Sequence, residues 1–322
     1  MRVLLCKRVD GAFGHILGGW ANALCSAGIA VEHWDGNQDS WHRFAPDLYC
    51  GASGHRQQIP VNRGGCKLAL HVNPYCDTKI EPNIDEAQEA INWVTSQKPD
   101  VVFGYGHESD RPYWAKWDSL GVSWVPMATA GDATKFNPIY GDHKTYDIAY
   151  IGGRWAYKGQ NLDPYLLPVF QDKTIHNAVY GWGGWPFDFY KGIATDEQVP
   201  MLLASCKVAP CVSEPHTIKY GIDLPERVFK AALSGAVVVH DAARTITRHI
   251  PSVIIAPTPH IYHQTIKYVI SMSDTDRAKV AIQQRQEVLA SHTYHHRLAV
   301  LFEALGFVAE AKLLRSALLK YA

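Results

Sequence analysis

The chain has 322 residues, of which 47% are hydrophobic and 19% charged, a composition typical of a globular protein with about two domains. Basic and acidic residues number 31 each, so the chain lacks the overall basic field of a general nucleic-acid-binding protein, although a local basic groove is compatible with this balance. Seven scattered cysteines without a Cys-x-x-Cys pair favour free thiols, and the absence of a signal-peptide pattern and of an apolar run of roughly 20 residues predicts a cytoplasmic protein with no membrane insertion.

The first half of the sequence alternates strand and helix patterns, which predicts a Rossmann-like α/β domain. The first strand is expected at Arg2–Val9, and a glycine-bearing turn leads from it to a helix ending near Gly28. Gly11 and Gly14 do not complete a dinucleotide fingerprint, so a cofactor there has little support. The other strands of this half are predicted at Ala30–Trp34, Asp47–Cys50, Lys67–Val72, Pro99–Gly104 and Val122–Pro126.

Several residues of this half are predicted to lie at the carboxyl ends of its strands, where α/β proteins bind ligands. His15 follows the first strand, and it is either functional or an ordinary first-turn helix residue. The loops after the other strands are rich in aromatic residues and histidines, which could stack on a sugar, a base or an aglycone. The candidate ligand-binding residues of this half are Gly14, His71, Tyr105, His107 and Glu108.

The second half begins after Ala128–Tyr146, a stretch without clear apolar periodicity that is typical of a linker. A buried strand at Asp147–Ile151 is followed by Gly152-Gly153-Arg154, and Lys158 lies nearby. A glycine pair in this position lets backbone amides approach a phosphate, but a plain tight turn beside solvated cations explains the same pattern.

A βαβ pattern follows between Ala204 and Asp241, with a long polar loop before its helix. The helix opens at Pro225, and Glu226 and Arg227 stand in its first turn. A helix N-terminus beside an arginine suits an anion, although most such loops in α/β proteins carry no ligand. Beyond this unit, helical patterns continue from Asp274 to the C-terminus, with interruptions near Ser291 and Gly306.

Six segments of the second half occur in an order that resembles the CgeB-like (spore maturation protein) glycosyltransferases of the GT-B fold, a branch near the group 1 glycosyltransferases. They span Gly131 to Leu305, whereas the first half is similar to that family only in its alternation of strands and helices. The segments read GDATKFNP, YDIAYIGG, YGWGGW, GIATDEQVPMLLASCKV, GIDLPERVFKAALSGAVVVHD and HTYHHRLAVLFEAL.

The resemblance implies a GT-B architecture, with two Rossmann-like domains facing a central cleft. The N-terminal domain (residues 1–140) would hold the acceptor, the C-terminal domain (141–305) would hold the nucleotide-sugar donor, and the last helix (306–322) would pack back on the first domain. The candidate ligand-binding residues of the first half, Gly14, His71, Tyr105, His107 and Glu108, would then be acceptor-binding residues. The expected donor is a UDP-sugar, with no cofactor and no metal. By position, the implied donor-binding residues are Gly152, Gly153, Arg154, Lys158, Trp182, Glu214, His216, Tyr220, Asp223, Glu226 and Arg227.

One departure from the family puts the nucleotide in question. Many relatives have a glutamate, expected to hold the donor ribose, where this chain has Lys230. Glu226, one helical turn earlier, could substitute for it. The departure also keeps open a non-catalytic relative that binds nucleotide without turnover, and a nucleotide-sugar epimerase of the same fold is a further alternative.

Sugar transfer from a nucleotide sugar requires stabilisation of the negative charge on the leaving diphosphate. Cations and helix N–H groups can supply it, so a metal is not required. An inverting transfer also needs a base, and His15 is the candidate catalytic residue; a retaining transfer would leave it only a positioning role.

The acceptor is open between a saccharide, a protein hydroxyl and a hydroxymethylated base in DNA, and the chain is expected to be a monomer or a homodimer. Four cations of the first half are either phosphate contacts for DNA or simply solvated, namely Arg43, Arg56, Arg63 and Lys67.

Overall fold

The computed structural model describes residues 1–7, 12–72, 87–104, 106–107, 110, 112, 114–137, 144–187, 190–221, 224–241 and 246–321. Two compact units are present, one formed by Met1–Ala128 together with Tyr294–Tyr321, the other by Thr129–Thr293. The predicted turn at Asp10 and Gly11 lies outside the described residues, as do Tyr105, Glu108 and Asp223. Within the described ranges, no helix is both long and apolar enough to cross a bilayer.

The strands, in chain order, are β1 (Arg2–Leu5), β2 (Ala30–His33), β3 (Leu48–Ala52), β4 (Lys67–His71), β5 (Val101–Gly104), β6 (Trp124–Pro126), β7 (Tyr146–Ile151), β8 (Asn177–Tyr180), β9 (Cys206–Cys211), β10 (Val237–His240) and β11 (Ile254–Ile255). The helices are α1 (Ala12–Ser26), α2 (Gln38–Phe44), α3 (Ala87–Gln97), α4 (Ala115–Ser119), α5 (Ala156–Gln171), α6 (Gln198–Ala204), α7 (Pro215–Tyr220), α8 (Glu226–Leu233), α9 (Ile246–His249), α10 (Pro259–Ser271), α11 (Asp274–Ser291), α12 (Tyr294–Ala304) and α13 (Val308–Leu318), and a 3₁₀ turn follows at Leu319–Tyr321.

Both sheets are parallel and doubly wound. The first has the strand order β2-β1-β3-β4-β5-β6, and the second has the order β11-β10-β9-β7-β8. In each sheet the chain places its next strand on one side of the starting strand and then continues on the other side. The carboxyl ends of β1 and β7 are therefore the switch points at which such sheets bind ligands.

The core of the first unit is built on buried tryptophans. Trp34 packs edge-on against Trp41 and Tyr49, with ring centroids 5.2 and 5.6 Å apart. All three residues are at most 2% exposed. Because aromatic pairs favour this edge-to-face geometry, the cluster fixes α2 against β3.

Helices α12 and α13 pack against each other and against α1, in the first unit. The division implied by the family resemblance assigned Tyr294–Ala304 to the second domain (141–305). The structure differs because the helix ends at Ser291 and the buried face of α12, including Leu298 and Phe302, belongs to the first unit.

His295 of α12 makes this packing sensitive to acid. Its Nε2 lies 2.7 Å from Ser26 Oγ of α1, and the residue is 1% exposed. Burial lowers the pKa of His295 from 6.5 to about 4. Between these two values the unfolded chain binds the proton more readily than the folded one, so stability falls as the pH falls.

We therefore expect the wild type to lose about 3 kcal/mol of unfolding free energy from this group between pH 6.5 and pH 4. His295→Phe should lack this contribution. Urea unfolding of both proteins between pH 6.5 and pH 4 gives their unfolding free energies. The value for the wild type should fall relative to that of the variant as the pH falls. Parallel curves for wild type and variant would contradict the assignment.

Helix α5 forms against its local sequence. Pro164 and Pro168 lie inside it, and the sequence analysis assigns no helix between Ile151 and Asn177. Each interior proline costs about 3 kcal/mol. The fully buried side chains of one helix face, each worth roughly 1.5–3 kcal/mol, outweigh that cost. They are Leu162, Leu166, Val169 and Phe170, and all four join the core of the second sheet.

Candidate functional site

The carboxyl edge of the second sheet gathers the segments that carry the predicted donor residues. Strand β7 ends at Ile151, β8 at Tyr180, β9 at Cys211 and β10 at His240. Because all neighbouring strands are parallel, the residues that follow them meet at one edge. Helices α5, α7 and α8 begin at this edge.

The glycine pair after β7 serves close packing. The Gly152 amide donates to Tyr180 O and the Arg154 amide donates to Trp182 O, both at 2.9 Å, so the segment stays paired with the one after β8. A side chain on Gly152 would clash with the Arg227 guanidinium, and a Cβ on Gly153 would lie 2.6 Å from the Trp182 ring. The glycines therefore let Arg227 and Trp182 lie directly on the backbone.

We expect Gly153→Ala to displace Trp182 and to lower the unfolding free energy by about 1–3 kcal/mol, because an added methyl group in this contact forces local shifts. Tryptophan fluorescence and urea unfolding measure both effects. Gly18→Ala is the matched control, since its Cβ would meet no atom within 4 Å and alanine favours the helix. An unchanged fluorescence spectrum for Gly153→Ala would contradict the expected displacement.

Trp182 forms an exposed stacking surface. Its ring lies parallel to that of Trp155, with centroids 4.9 Å apart and an interplanar angle of 5°. Trp182 is 52% exposed, and Lys158 Nζ lies 4.9 Å from the Trp155 centroid. A flat aromatic group can stack on the open face of such a pair.

Arg154 is tied to a carboxylate. Its Nε and Nη2 donate to the two oxygens of Asp163 at 2.8 and 2.6 Å, the bidentate geometry that arginine favours. The hydrogen bonds to Asp163 raise the Arg154 pKa. Asp163 lies on α5, the helix that the sequence does not predict, so this pairing is not visible in the sequence.

Lys158 and Glu214 form a buried ion pair. Their charged atoms are 2.5 Å apart, and the Lys158 residue is 6% exposed. Burial alone would raise the Glu214 pKa, but the Lys158 ammonium, together with His216 and Arg227, outweighs it, so the pKa lies below its ordinary value. The pair therefore stays ionised and joins the start of α5 to the start of α7.

Arg227 has a different environment from Arg154 and Lys158. Its Nε donates to Ile151 O at 2.7 Å, and its guanidinium carbon lies 4.2 Å from the Tyr150 ring centroid. Within the described residues, no carboxylate forms an ion pair with it. A half-buried guanidinium held by a carbonyl and an aromatic ring keeps its charge for an anion at the end of β7.

Helix α8 contains a second lysine–glutamate pair, which joins its first turn to its last. Lys230 Nζ lies 2.5 Å from Glu226, and both side chains are largely buried. Lys230 also lies 5.4 Å from the Phe136 ring centroid. Lys230, which stands where many relatives have a glutamate, is thus paired with Glu226, the acid that could substitute for that glutamate.

The remaining predicted donor residues lie on α7 or beyond the described part of the chain. His216 is half-buried on α7 and, after Lys158, also helps to lower the Glu214 pKa. Tyr220 is the last residue of α7, and nothing is described of its side chain. Asp223 lies outside the described residues.

The predicted acceptor residues follow β1, β4 and β5 of the first sheet. His15 and Gly14 lie in the first turn of α1, with His15 exposed and Gly14 buried. His71 ends β4; burial lowers its pKa to about 4, so the ring is neutral at physiological pH. Phe13 links the two elements, since its ring centroid lies 5.5 Å from His71 and 5.4 Å from His55.

His107 is exposed, and its amide donates to Asp110 Oδ2 at 2.9 Å. Tyr105 and Glu108, its predicted companions, lie outside the described residues.

Three of the four cations considered for DNA have partners of their own. Arg56 pairs with Glu89 at 3.0 Å, and Lys67 pairs with Asp100 at 2.9 Å. Arg63 donates to Gln97 O at 3.2 Å. Arg63 and Lys67 line an open cavity of about 530 Å³ at the amino end of β4, whereas His71 lies at its carboxyl end.

The sequence contains one Asp-x-Asp pattern, Asp274 to Asp276, and it opens α11. There Asp274 pairs with Arg277, and Asp276 pairs with Lys279 and accepts a hydrogen bond from Ser273. These contacts are those of a helix N-terminus. In the described part of the chain, no group of three or more His, Cys, Asp or Glu side chains could hold a metal ion.

Comparisons with known proteins find glycosyltransferases by both sequence model and fold. Residues 165–303 match a family model described as glycosyl transferase-like. No curated protein matches the chain by sequence.

Three solved structures are similar over nearly their whole length. The glycosyltransferase AviGT4, involved in avilamycin A biosynthesis, is 13% identical with a TM-score of 0.58, covering 96% of this chain and 98% of that one. The T4 phage BGT in complex with its UDP-glucose substrate is 10% identical with a TM-score of 0.56, over 97% and 99%. An α-glucosyltransferase in complex with UDP-glucose and DNA containing an abasic site is 10% identical with a TM-score of 0.66, over 95% and 98%. The chain therefore has the GT-B glycosyltransferase fold, and its second half contains a glycosyl transferase-like segment.

Proposed function

We propose that this protein transfers a sugar from a nucleoside-diphosphate sugar, with a UDP-sugar as the preferred donor, to a hydroxyl acceptor, and that it does so without a catalytic metal. The observation that carries the proposal is the Arg227 guanidinium at the end of β7, which forms no direct ion pair with a carboxylate of the described ranges and shares the attraction of Glu214 with Lys158. Arg227 and Lys158 are positively charged and Glu214 is negatively charged, so the cluster has a net positive charge and favours an anion.

The reaction breaks the bond between the anomeric carbon and the β-phosphate oxygen and forms a bond from that carbon to the acceptor oxygen. The acceptor proton passes to a base, and the nucleoside diphosphate leaves with one further negative charge. Arg227 would stabilise this developing charge, with Lys158 as the second cation. The start of α8 would add its backbone N–H groups.

The nucleotide base would stack on the exposed face of Trp182, which is held in place by Trp155. The buried Glu226–Lys230 pair would then be the polar contact nearest the ribose. This arrangement fits a CgeB-like transferase that has exchanged the usual acid for an ion pair. A nucleotide that binds without turnover would instead favour the non-catalytic alternative.

His15 is the proposed base for an inverting transfer, because it is exposed after β1, the switch-point strand of the first sheet. His15→Ala should lower kcat while leaving UDP affinity unchanged, since the donor residues all lie in the other unit. Steady-state kinetics and calorimetry separate the two effects. Unchanged kcat would exclude His15 as the base.

DNA with a hydroxymethylated base is one acceptor class to test, because the similar α-glucosyltransferase structure holds UDP-glucose together with DNA. A saccharide is the other. The partnered state of Arg56 and Lys67 favours neither, so both belong in the acceptor screen.

The test is calorimetry and thermal unfolding with UDP, GDP, ADP, TDP and UDP-glucose, with and without magnesium. A ligand that binds only the folded state adds about 2.7 kcal/mol of apparent stability at a hundred times its dissociation constant. We expect a shift selective for one nucleotide and indifferent to magnesium. No binding of any nucleotide, or binding that requires magnesium, would contradict the proposal.

A further inference from the structure

We propose that Asn161 and Asp241 are positioning residues of the donor site, which act by holding Ser213 and so set the Lys158–Glu214 pair against the diphosphate. The inference rests on the proposed function for its ligand, but the arrangement it describes belongs to the chain alone. Asn161 lies outside the six segments that carry the family resemblance, and Asp241 ends one of them without a role assigned to it there.

Every polar group of Ser213 is engaged. Its amide and its hydroxyl both donate to Asp241 Oδ1, at 3.1 and 2.7 Å. Its carbonyl accepts from Asn161 Nδ2 at 2.7 Å. Ser213 is 0% exposed, so water does not compete for these bonds. The residue that directly precedes Glu214 is thus fixed from two sides.

Helix α5 holds two consecutive residues of the segment after β9, Ser213 and Glu214. Lys158 and Asn161 are three residues apart on α5 and therefore share one face. Lys158 pairs with Glu214, while Asn161 holds Ser213. Two consecutive residues of one segment are tied to two positions of one helix, which defines both the location and the direction of Glu214.

Asp241 anchors this arrangement to β10. Besides Ser213, its carboxylate accepts from Asn161 Nδ2 at 3.3 Å and lies 2.8 Å from His240 Nδ1. Asp241 is only 3% exposed, and burial alone would raise its pKa; hydrogen bonds from His240 and Ser213 bring the pKa below its ordinary value. An ionised carboxylate is thus kept at the strand end as an acceptor for three different elements.

Such a network matters for binding because it orders the site before the ligand arrives. A cation whose position is already defined loses little conformational entropy when a phosphate binds. Without the bonds to Ser213, Glu214 would gain freedom and Lys158 would lose its defined partner. The diphosphate would then meet a mobile lysine.

The test compares Ser213→Ala and Asn161→Ala with Ser234→Ala. Ser234 is the matched control because it is also a fully buried serine of the second unit, but its hydroxyl has no hydrogen-bond partner within the described ranges. We expect the dissociation constant for UDP to rise about tenfold in the first two variants and to stay unchanged in the control.

A second measurement needs no nucleotide. Reductive methylation followed by peptide mass spectrometry reports the reactivity of each lysine. Lys158 should become more reactive in Ser213→Ala and Asn161→Ala, whereas Lys144, which donates to Ala204 O and Gly235 O elsewhere in the same unit, should not. A general loss of structure would expose both lysines, so the ratio isolates positioning.

The outcomes separate the two proposals. A wild type that binds no nucleotide would overturn the proposed function, while the lysine ratio would still test the network. Unchanged Lys158 reactivity in both variants would overturn the positioning role whether or not nucleotide binds. Equal exposure of Lys144 and Lys158 would also overturn it, since the network would then support the fold as a whole.

Discussion

Lys158→Met is expected to lower the free energy of unfolding by about 3–5 kcal/mol, the usual penalty for leaving one charge of a buried ion pair without its partner. The abandoned charge would be Glu214, which lies 2.5 Å from the ammonium in the wild type. The methionine keeps most of the apolar length of the side chain, so the loss reports the charge. Urea unfolding monitored by fluorescence measures the change.

The double variant Lys158→Met, Glu214→Leu is the control. Replacing both members of a buried pair by apolar side chains is often neutral, so the double variant should recover most of the loss. UDP binding should remain impaired in it, because the cation is absent. A double variant as unstable as the sum of the single ones would show that the two side chains act independently and that their pairing contributes nothing.

Arg227→Met is expected to weaken UDP binding by about 2–4 kcal/mol, roughly 30- to 1000-fold, because truncating one partner of a largely desolvated charge contact removes its hydrogen bonds and leaves the other charge unpaired. Methionine can still pack against Tyr150, which lies under the guanidinium. Calorimetry with UDP measures the affinity, and urea unfolding corrects for the lost bond to Ile151 O.

Arg154→Met is the matched comparison, since Arg154 lies on the same edge but is bound to both oxygens of Asp163. Its effect on UDP affinity should be clearly smaller than that of Arg227→Met. Equal effects would mean that Arg154 leaves Asp163 for the phosphates, and the division of roles between the two arginines would be wrong. Arg227→Lys should fall between them, because a lysine keeps the charge but not the planar contact with Tyr150.

The different environments of Arg154 and Arg227 could not be predicted from the sequence. Both follow patterns that suit a phosphate: Arg154 stands after a glycine pair and Arg227 at a helix start. Nothing local distinguishes them. Their difference arises from Asp163, which reaches Arg154 only because α5 is helical despite Pro164 and Pro168. Local propensity argues against that helix, and the burial of its apolar face decides in its favour.

By itself, the sequence determined the alternation of strands and helices, the two doubly wound sheets and the segments that meet at their carboxyl ends. These follow from short-range periods and from glycine positions, which every stretch of chain carries locally. The tertiary structure alone decided which charges are neutralised, because Lys158 meets Glu214 and Asp241 meets Ser213 and Asn161 across three separate elements. Such pairings depend on side-chain directions in the packed core, and a linear pattern does not contain them.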